Sequence, residues 1–395
     1  MHLATLYTLY GRRAGAELFF ERTLEELLRR GPADWNWTVF CNTQAESVLR
    51  SQWPGLTIRR IPWLDNQYRK AFWLEFLSHR LINREQFDLA WLPSGGAAFP
   101  GRWNIPSVVT FLDMGVFTVK SRFNFTRTAY RKYISTPRSL RRASALTAIS
   151  QTTADDVVRL FPWAPPPRAI LLGPSPREPV ILPEAPQRIV EKETGVRADR
   201  VWFSPARTDY RGKGRDILLR AYAAYLRESS RPRPLLLPGP EGEFHDRVMS
   251  DITELGLQGK AVWPGRVSDA CIEACYRISE AMLLPSRIEG FGFPVLEAME
   301  RGTPVICSDA GSLPEVAGDA ALIVPQGDVQ GLCAAMLKLE REPALRDTLV
   351  RRGIERSRSF SWARTAEQYV EVFRAVAAHP REKSRDQRGR LTSIR

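Results

Sequence analysis

A chain of 395 residues is too long for one ordinary hydrophobic core, so two domains of about 200 residues or fewer are expected. Its hydrophobic share of 44% is that of a globular protein, and no apolar run approaches the roughly 18 residues of a membrane span. The net charge of +13 is unevenly placed: residues 1–175 hold 23 Lys and Arg against 13 Asp and Glu, the tail from Pro380 holds six against two, and the remainder is nearly neutral.

The opening "MHLATLYTLYGRRAGAELFF" reads as a strand running into a helix, without the basic leader and apolar block of a signal peptide. In the helix "AELFFERTLEELLRR", the spacing predicts Glu25–Arg29 and Glu26–Arg30 pairs at i, i+4. "WTVFCN", "LTIRRI", "DLAWLPS", "SVVTFLD", "ALTAIS" and "RAILLG" follow as strands between helix-length amphipathic segments, the pattern of a parallel sheet wrapped by helices. Within this half, residues 114–154 carry Lys120, Arg122, Arg127, Arg131, Lys132, Arg138, Arg141 and Arg142 and no acid, interleaved with Phe117, Phe123, Phe125, Tyr130 and Tyr133. A basic, aromatic helix can lie on an anionic membrane, at about 1 kcal/mol per cation. Lys120, Arg122, Arg127, Arg131 and Lys132 are the candidate membrane contacts. A solvated face over a packed aromatic stripe fits the same pattern. No nucleic-acid-binding module accompanies the charge, and none is expected as a partner.

The proline-rich "PSPREPVILPEAPQR" has no period and reads as the inter-domain linker, placed at 176–198 after a first domain of residues 1–175. A second domain, 199–360, repeats the style with "VWFSPA", "PLLLPG", "AVWPG", "AMLLPS", "PVICSD" and "ALIVPQ" as strands. Two doubly wound sheets in tandem leave a cleft at the carboxyl ends of their strands, where such folds bind ligands. The last helix, within 361–379, is amphipathic and is expected to pack back toward the first domain. The tail 380–395 reads as polar, basic and disordered. Five scattered cysteines, Cys41, Cys271, Cys275, Cys307 and Cys333, suit neither a zinc site nor a disulfide framework and read as buried free thiols in a reducing cytoplasm.

Two stretches could carry chemistry. "SPARTDYRGKGRDILLRAY" sets Arg207 and Lys213 between a strand end and a helix, where cations and free N–H groups face an anion; a solvated basic turn is the alternative. Neither G-x-G-x-x-G nor G-x-x-x-x-G-K-[ST] occurs, which disfavours a dinucleotide fingerprint and a P-loop. In "EGFGFPVLE", Glu289 falls in a loop after a buried strand, Pro294 opens a helix, Glu297 lies in its first turns, and Gly302 terminates it. Gly290 and Gly292 leave backbone amides open to close approach. The two glutamates could be an acid/base pair, a grip on vicinal sugar hydroxyls, or helix-capping and surface residues.

The segment "PSRIEGFGFPVLEAMERGTPVICSDAGSLPEVAGDAALIVPQGD" closely resembles the C-terminal signature of the family-4 retaining glycosyltransferases, with Glu289 and Glu297 as the E-x7-E pair. "ARTDYRGKGRDILLRAY", "WPGRVSDACIEACYRISEAMLLPS" and "FSWARTAEQYVEVFR" resemble family segments in the expected order. The first half matches loosely, through "AGAELFF", "IPSVVTFLDM" and "ALTAISQTTADDVVRLF". The resemblance implies an α/β GT-B fold, two Rossmann-like doubly wound domains facing a central cleft, with a nucleotide-sugar donor held by the second. It implies that Arg207 and Lys213 bind the diphosphate and stabilise the leaving group without metal, that Glu289 contacts the transferred sugar and that Glu297 grips the ribose. Gly290, Phe291, Gly292 and Phe293 would lend backbone. Gly15 would approach the diphosphate from the first domain, and Arg266 and Val267 complete the donor set. No cofactor is implied beyond the donor itself, and no D-x-D triplet occurs.

Family members commonly read T-x-H-D where this chain has Thr110, Phe111, Leu112 and Asp113. Leucine can neither shuttle a proton nor donate a hydrogen bond, whereas Asp113 is kept and could hold a hydroxyl. "GSLPEVAGDAALIV" is most similar to the mannosyltransferase branch, which favours GDP-mannose over UDP-glucose or another donor. The expected activity is retaining, metal-independent transfer of a hexose to a saccharide or lipid-linked saccharide in cell-envelope polysaccharide assembly, in the cytoplasm at the inner membrane face. Leu112 motivates the competing expectation, a catalytically weak sugar-nucleotide binder or scaffold.

Overall fold

The alternation of β-branched runs with amphipathic segments builds two parallel sheets, each the centre of its own unit. The computed structural model describes residues 1–10, 15–95, 97–118, 125–175, 180–206, 210, 212–242 and 244–378. Lys120, Arg122, Arg207, the side chain of Arg127 and the tail lie outside that description.

The first unit contains Met1–Val116, Phe123–Leu171 and the segment from Trp362 onward. Its strands are β1 (His2–Tyr7), β2 (Asn36–Cys41), β3 (Thr57–Arg60), β4 (Leu89–Gly95), β5 (Ser107–Phe111), β6 (Ala145–Ala148) and β7 (Arg168–Ala169). They pair in the order β3-β2-β1-β4-β5-β6-β7, all parallel. Helices α1 (Gly15–Arg30), α2 (Thr43–Gln52) and α3 (Gln151–Leu160) connect them with several shorter turns. β5 is buried at every position, as a strand covered on both faces requires.

The second unit is built on Leu172–Ser361. Its strands are β8 (Val201–Phe203), β9 (Leu235–Leu236), β10 (Ala261–Val262), β11 (Ser279–Leu284), β12 (Val305–Ser308) and β13 (Leu322–Val324), in the order β10-β9-β8-β11-β12-β13. Its helices are α4 (Pro186–Thr194), α5 (Arg215–Glu228), α6 (His245–Glu254), α7 (Asp269–Ile278), α8 (Phe293–Glu300), α9 (Val329–Arg341) and α10 (Pro343–Ser357). Trp202, Tyr222, Tyr225, Leu283 and Met336 are fully buried in one continuous core.

The final helix, α11 (Trp362–Ala378), belongs to the first unit and packs on α1. Tyr369 and Phe373 of α11 enter an aromatic cluster with Phe19, Trp37 and Trp91. Burial pushes the Tyr369 phenol up to about 12, and its oxygen lies 3.0 Å from Thr110 Oγ1.

Three expectations change. The stretch read as a linker to residue 198 contains α4, which buries Ile189 and Val190 and packs on α7; Glu193 accepts from the Ser268 amide at 2.8 Å. Two adjacent apolar residues among prolines are too short a signal for a period. In α1 the expected Glu26–Arg30 pair forms at 2.7 Å, but Arg29 also goes to Glu26 (2.5 Å), and Glu25 turns back to Arg22 (2.6 Å). The basic segment is helical over only part of its length. It holds a helical turn at Gly115–Thr118 and then one continuous helical run, Phe125–Arg142, which is α-helical at its two ends and π-helical over Tyr130–Ser135. Arg138 and Arg142 turn inward onto Glu75, and Arg141 lies over Trp163. Tyr133 is 77% exposed, while burial pushes the Tyr130 phenol up to about 12. All five cysteines are buried free thiols, and no described helix is long and apolar enough to cross a membrane.

Candidate functional site

In the second unit the strand order reverses between β8 and β11, the switch point at which open α/β sheets bind ligands beyond the carboxyl ends. Both stretches singled out in the sequence leave the sheet there. The loop after β8 leads through Lys213 into α5, and the loop after β11 leads through Glu289 into α8.

These loops are fastened to each other. The Arg287 amide donates to the Gly212 carbonyl at 2.9 Å. The Arg287 guanidinium grips Asp216 at two points, Nη1 to Oδ1 at 2.7 Å and Nη2 to Oδ2 at 2.6 Å, a planar fork geometry that fixes direction as well as distance. That carboxylate holds the Arg287 pKa above its ordinary value. Behind them Arg215, 1% exposed, donates to Ser204 Oγ at 2.7 Å and to the Ala206 carbonyl at 2.8 Å. Gly214 closes the turn at φ +61°, and a Cβ there would stand 2.0 Å from the Pro285 carbonyl oxygen. Only glycine fits so close a backbone approach.

The result brings Lys213 Nζ to 2.5 Å from Glu289 Oε1, which also accepts from Ser286 Oγ at 2.8 Å. Both partners of this ion pair are half-buried. Gly311 (φ +57°) packs against the Glu289 backbone, and the Ser312 amide donates to the Glu289 carbonyl at 3.3 Å. Gly292 caps α8 at φ +103°, with Pro294 in the first turn. The Phe291 ring is 2% exposed and packs on Phe293 and Phe360, so Phe291 can serve a ligand near the loop only through its backbone, as can Gly290 and Gly292. Glu297, one turn further along α8, is 7% exposed and accepts from the Tyr276 hydroxyl at 2.9 Å.

The other sequence candidates fall elsewhere. Arg266 and Val267 follow β10, at the same carboxyl edge two strands from β8, beside Gly265, whose carbonyl accepts from the Gly239 amide at 2.9 Å. In the first unit, Gly15 opens α1, and Asp113 Oδ1 accepts from the Gly115 amide at 2.8 Å beyond the end of β5. Leu112 is half-buried beside it, as are Arg131 and Lys132 in their π-helical stretch. Sequence reasoning missed Ser286, Asp216, Arg287, Ser312 and Tyr276. Asp216 and Arg287 are 71 residues apart and meet because β8 pairs with β11, while Ser312 and Tyr276 reach Glu289 and Glu297 from more than 20 residues away in sequence.

A half-buried ammonium, two carboxylates and a glycine-opened helix entrance can hold an anion and several hydroxyl groups together.

Comparison with known proteins gives this arrangement a family. Residues 188–356 match the family described as Glycosyl transferases group 1, and residues 14–171 match Glycosyltransferase Family 4. O-antigen chain mannosyltransferase B of Escherichia coli is 30% identical over 277 residues, covering 68% of this chain and 70% of that protein. D-inositol 3-phosphate glycosyltransferase of Saccharomonospora viridis is 27% identical over 390 residues, covering 92% and 90%. Anabaena HepE, solved in complex with UDP and glucose, superposes with a TM-score of 0.70 at 18% identity, covering 95% of this chain and 100% of that one. That likeness shows the fold, two Rossmann-like parallel-sheet domains of the GT-B type. The chain belongs to the family-4 glycosyltransferases and is mannosyltransferase-like in sequence.

Proposed function

We propose that this glycosyltransferase is a retaining, metal-independent hexosyltransferase of cell-envelope polysaccharide assembly, moving mannose from GDP-mannose to a saccharide or lipid-linked saccharide. The observation that carries the donor site is the Lys213–Glu289 pair at the β8/β11 switch point. In this reading Lys213, with Arg207, takes the diphosphate, and the amides of Gly290 to Phe293 face its oxygens. Glu289 takes sugar hydroxyls, and Glu297 takes the ribose. Arg266, Val267 and Gly15 complete the donor contacts.

The bond from the sugar C1 to the diphosphate oxygen breaks as the bond from C1 to the acceptor oxygen forms on the same face. The acceptor proton passes to a phosphate oxygen of the departing nucleoside diphosphate. Fixed cations on that leaving group supply the charge stabilisation that a metal supplies elsewhere. Such a transfer does not depend on a side chain at position 112, and Asp113 is left to hold the acceptor hydroxyl. The mannose preference and the polysaccharide pathway rest on the similarity to the E. coli O-antigen mannosyltransferase. Peripheral contact with an anionic membrane through Lys120, Arg122, Arg127, Arg131 and Lys132 would bring a lipid-linked acceptor within reach.

A thermal-shift screen of nucleotide sugars, run with and without EDTA, tests the reading, because a bound donor stabilises by mass action. GDP-mannose is expected to raise the melting temperature most, with EDTA making no difference. A shift by UDP-glucose alone overturns the donor assignment, and loss of transfer in EDTA overturns metal independence. Donor binding without turnover over any acceptor pool leaves the weak-binder reading that Leu112 motivates.

A further inference from the structure

We infer that Tyr276 is a positioning residue for the donor, acting by fixing the direction in which the Glu297 carboxylate faces; this rests on the proposed role of Glu297 at the ribose. Tyr276 lies in α7, outside both motif-bearing loops, and is 1% exposed. Its hydroxyl donates to Glu297 Oε2 at 2.9 Å. Tyr276 is itself held through both its ring and its backbone. Phe203 meets its ring edge-on at 4.9 Å, the Arg301 guanidinium lies 5.2 Å from its centroid, and Thr303 Oγ1 donates to its carbonyl at 2.8 Å.

Arg301 closes the arrangement from the far end of α8, donating to the Glu297 carbonyl at 2.9 Å and to Glu273 Oε2 at 2.7 Å. The backbone and the carboxylate of Glu297 are thus both tied to one rigid group of side chains from α7 and α8. A carboxylate can accept two vicinal hydroxyls only when its plane is set, and a glutamate with three free torsions loses rotamer freedom on setting it. A buried phenol at hydrogen-bond distance sets it before the ligand arrives.

The test compares GDP with 2′,3′-dideoxy-GDP, and UDP with its dideoxy counterpart, by calorimetry on wild type, Tyr276→Phe and Glu297→Ala. Tyr276→Phe is expected to weaken the ribose-bearing nucleotide about tenfold while leaving the dideoxy nucleotide unchanged, as loss of one hydrogen bond to a charged group predicts. In steady-state assays the donor KM rises by a similar factor and kcat stays within about twofold. The effect disappears in the Glu297→Ala background. If Glu297→Ala binds both nucleotides as wild type does, the ribose role of Glu297 is wrong. If Glu297→Ala discriminates but Tyr276→Phe weakens both nucleotides equally, or neither, the positioning role is wrong. Tyr276→Met, of similar length and without a hydroxyl, gives the same discrimination if the phenylalanine variant is unstable.

Discussion

Lys213 Nζ and Glu289 Oε1 are 2.5 Å apart, an ion pair between the loop after β8 and the loop after β11. A diphosphate would compete with Glu289 for that ammonium, and this sets opposite expectations for the two partners. Lys213→Ala removes a charge-assisted contact worth about 1.5–3 kcal/mol, so kcat should fall roughly ten- to a hundredfold and nucleoside diphosphate binding should weaken. Glu289→Gln removes the internal competitor. It should leave GDP binding equal or tighter while sugar transfer slows by at least about tenfold. Calorimetry with GDP set beside initial rates with the sugar donor separates these effects. Parallel losses of both in the two variants would contradict the division of labour.

The Arg287–Asp216 fork and Gly214 hold Lys213 in place, and their loss should act on binding through geometry. Arg287→Lys keeps a charge but not the bidentate contact. It should cost about 1–2 kcal/mol of stability, discounted for the partial exposure of the arginine. Gly214→Ala is the harsher change. It forces a side chain into a left-handed turn and onto the Pro285 carbonyl, so the loop must open. Denaturant melts with GDP titrations should show the alanine variant losing donor affinity by more than its loss of stability alone accounts for.

Most of the architecture was legible because parallel sheets announce themselves. β5 and β11 are buried along their whole length, and the apolar stretches within them, Val108–Val109 and Ala281–Leu284, mark them in the sequence, while Gly302 ends α8 where a terminator was expected. Glu289 and Glu297 were legible as a pair because their spacing lies within one loop and one helix. Tyr276 was not, since 21 residues and a strand separate it from Glu297. The same limit hid Asp216 from Arg287. In the basic segment, charge alone could not tell an outward face from an inward one. Arg138 and Arg142 serve Glu75 on the π-helical turn at Trp73–Leu77, a partner more than 60 residues upstream.

That buried cluster gives the first unit a pH signature. Hydrogen bonding from Arg142 is the largest influence on the Glu75 carboxyl, and with Arg138 it holds the pKa below the ordinary 4.5. A depressed folded-state value means the stabilisation is complete above the unfolded pKa and is lost as pH falls through the folded one. Glu75→Gln should therefore destabilise the first unit at pH 7 by on the order of 2 kcal/mol, read as a lower melting temperature. The gap between variant and wild type should narrow steadily as pH drops below 4.5, where the wild-type carboxyl also loses its charge. Melting curves between neutral and acidic pH check this, and a gap that is constant with pH would show that Glu75 acts by packing alone.

The return of α11 to the first unit makes a prediction about truncation. Tyr369 and Phe373 complete the cluster around Trp91, and Thr365 Oγ1 donates to the Leu171 carbonyl at 2.7 Å. Removing two buried aromatics costs about 3–5 kcal/mol each, comparable to the whole stability of a domain. A chain ending at Ser361 should therefore lose the first unit's cooperative melt, although every strand of that unit remains. The second unit keeps its core, Lys213, Glu289 and Glu297, so GDP binding should survive within about tenfold. Tyr369→Phe is the mild counterpart: it keeps the ring and removes a hydroxyl that lies 3.0 Å from Thr110 Oγ1, and it should lower the first transition by about 1 kcal/mol. Calorimetry resolves the two transitions. A truncated chain that melts as wild type does would show that the first unit folds without its last helix.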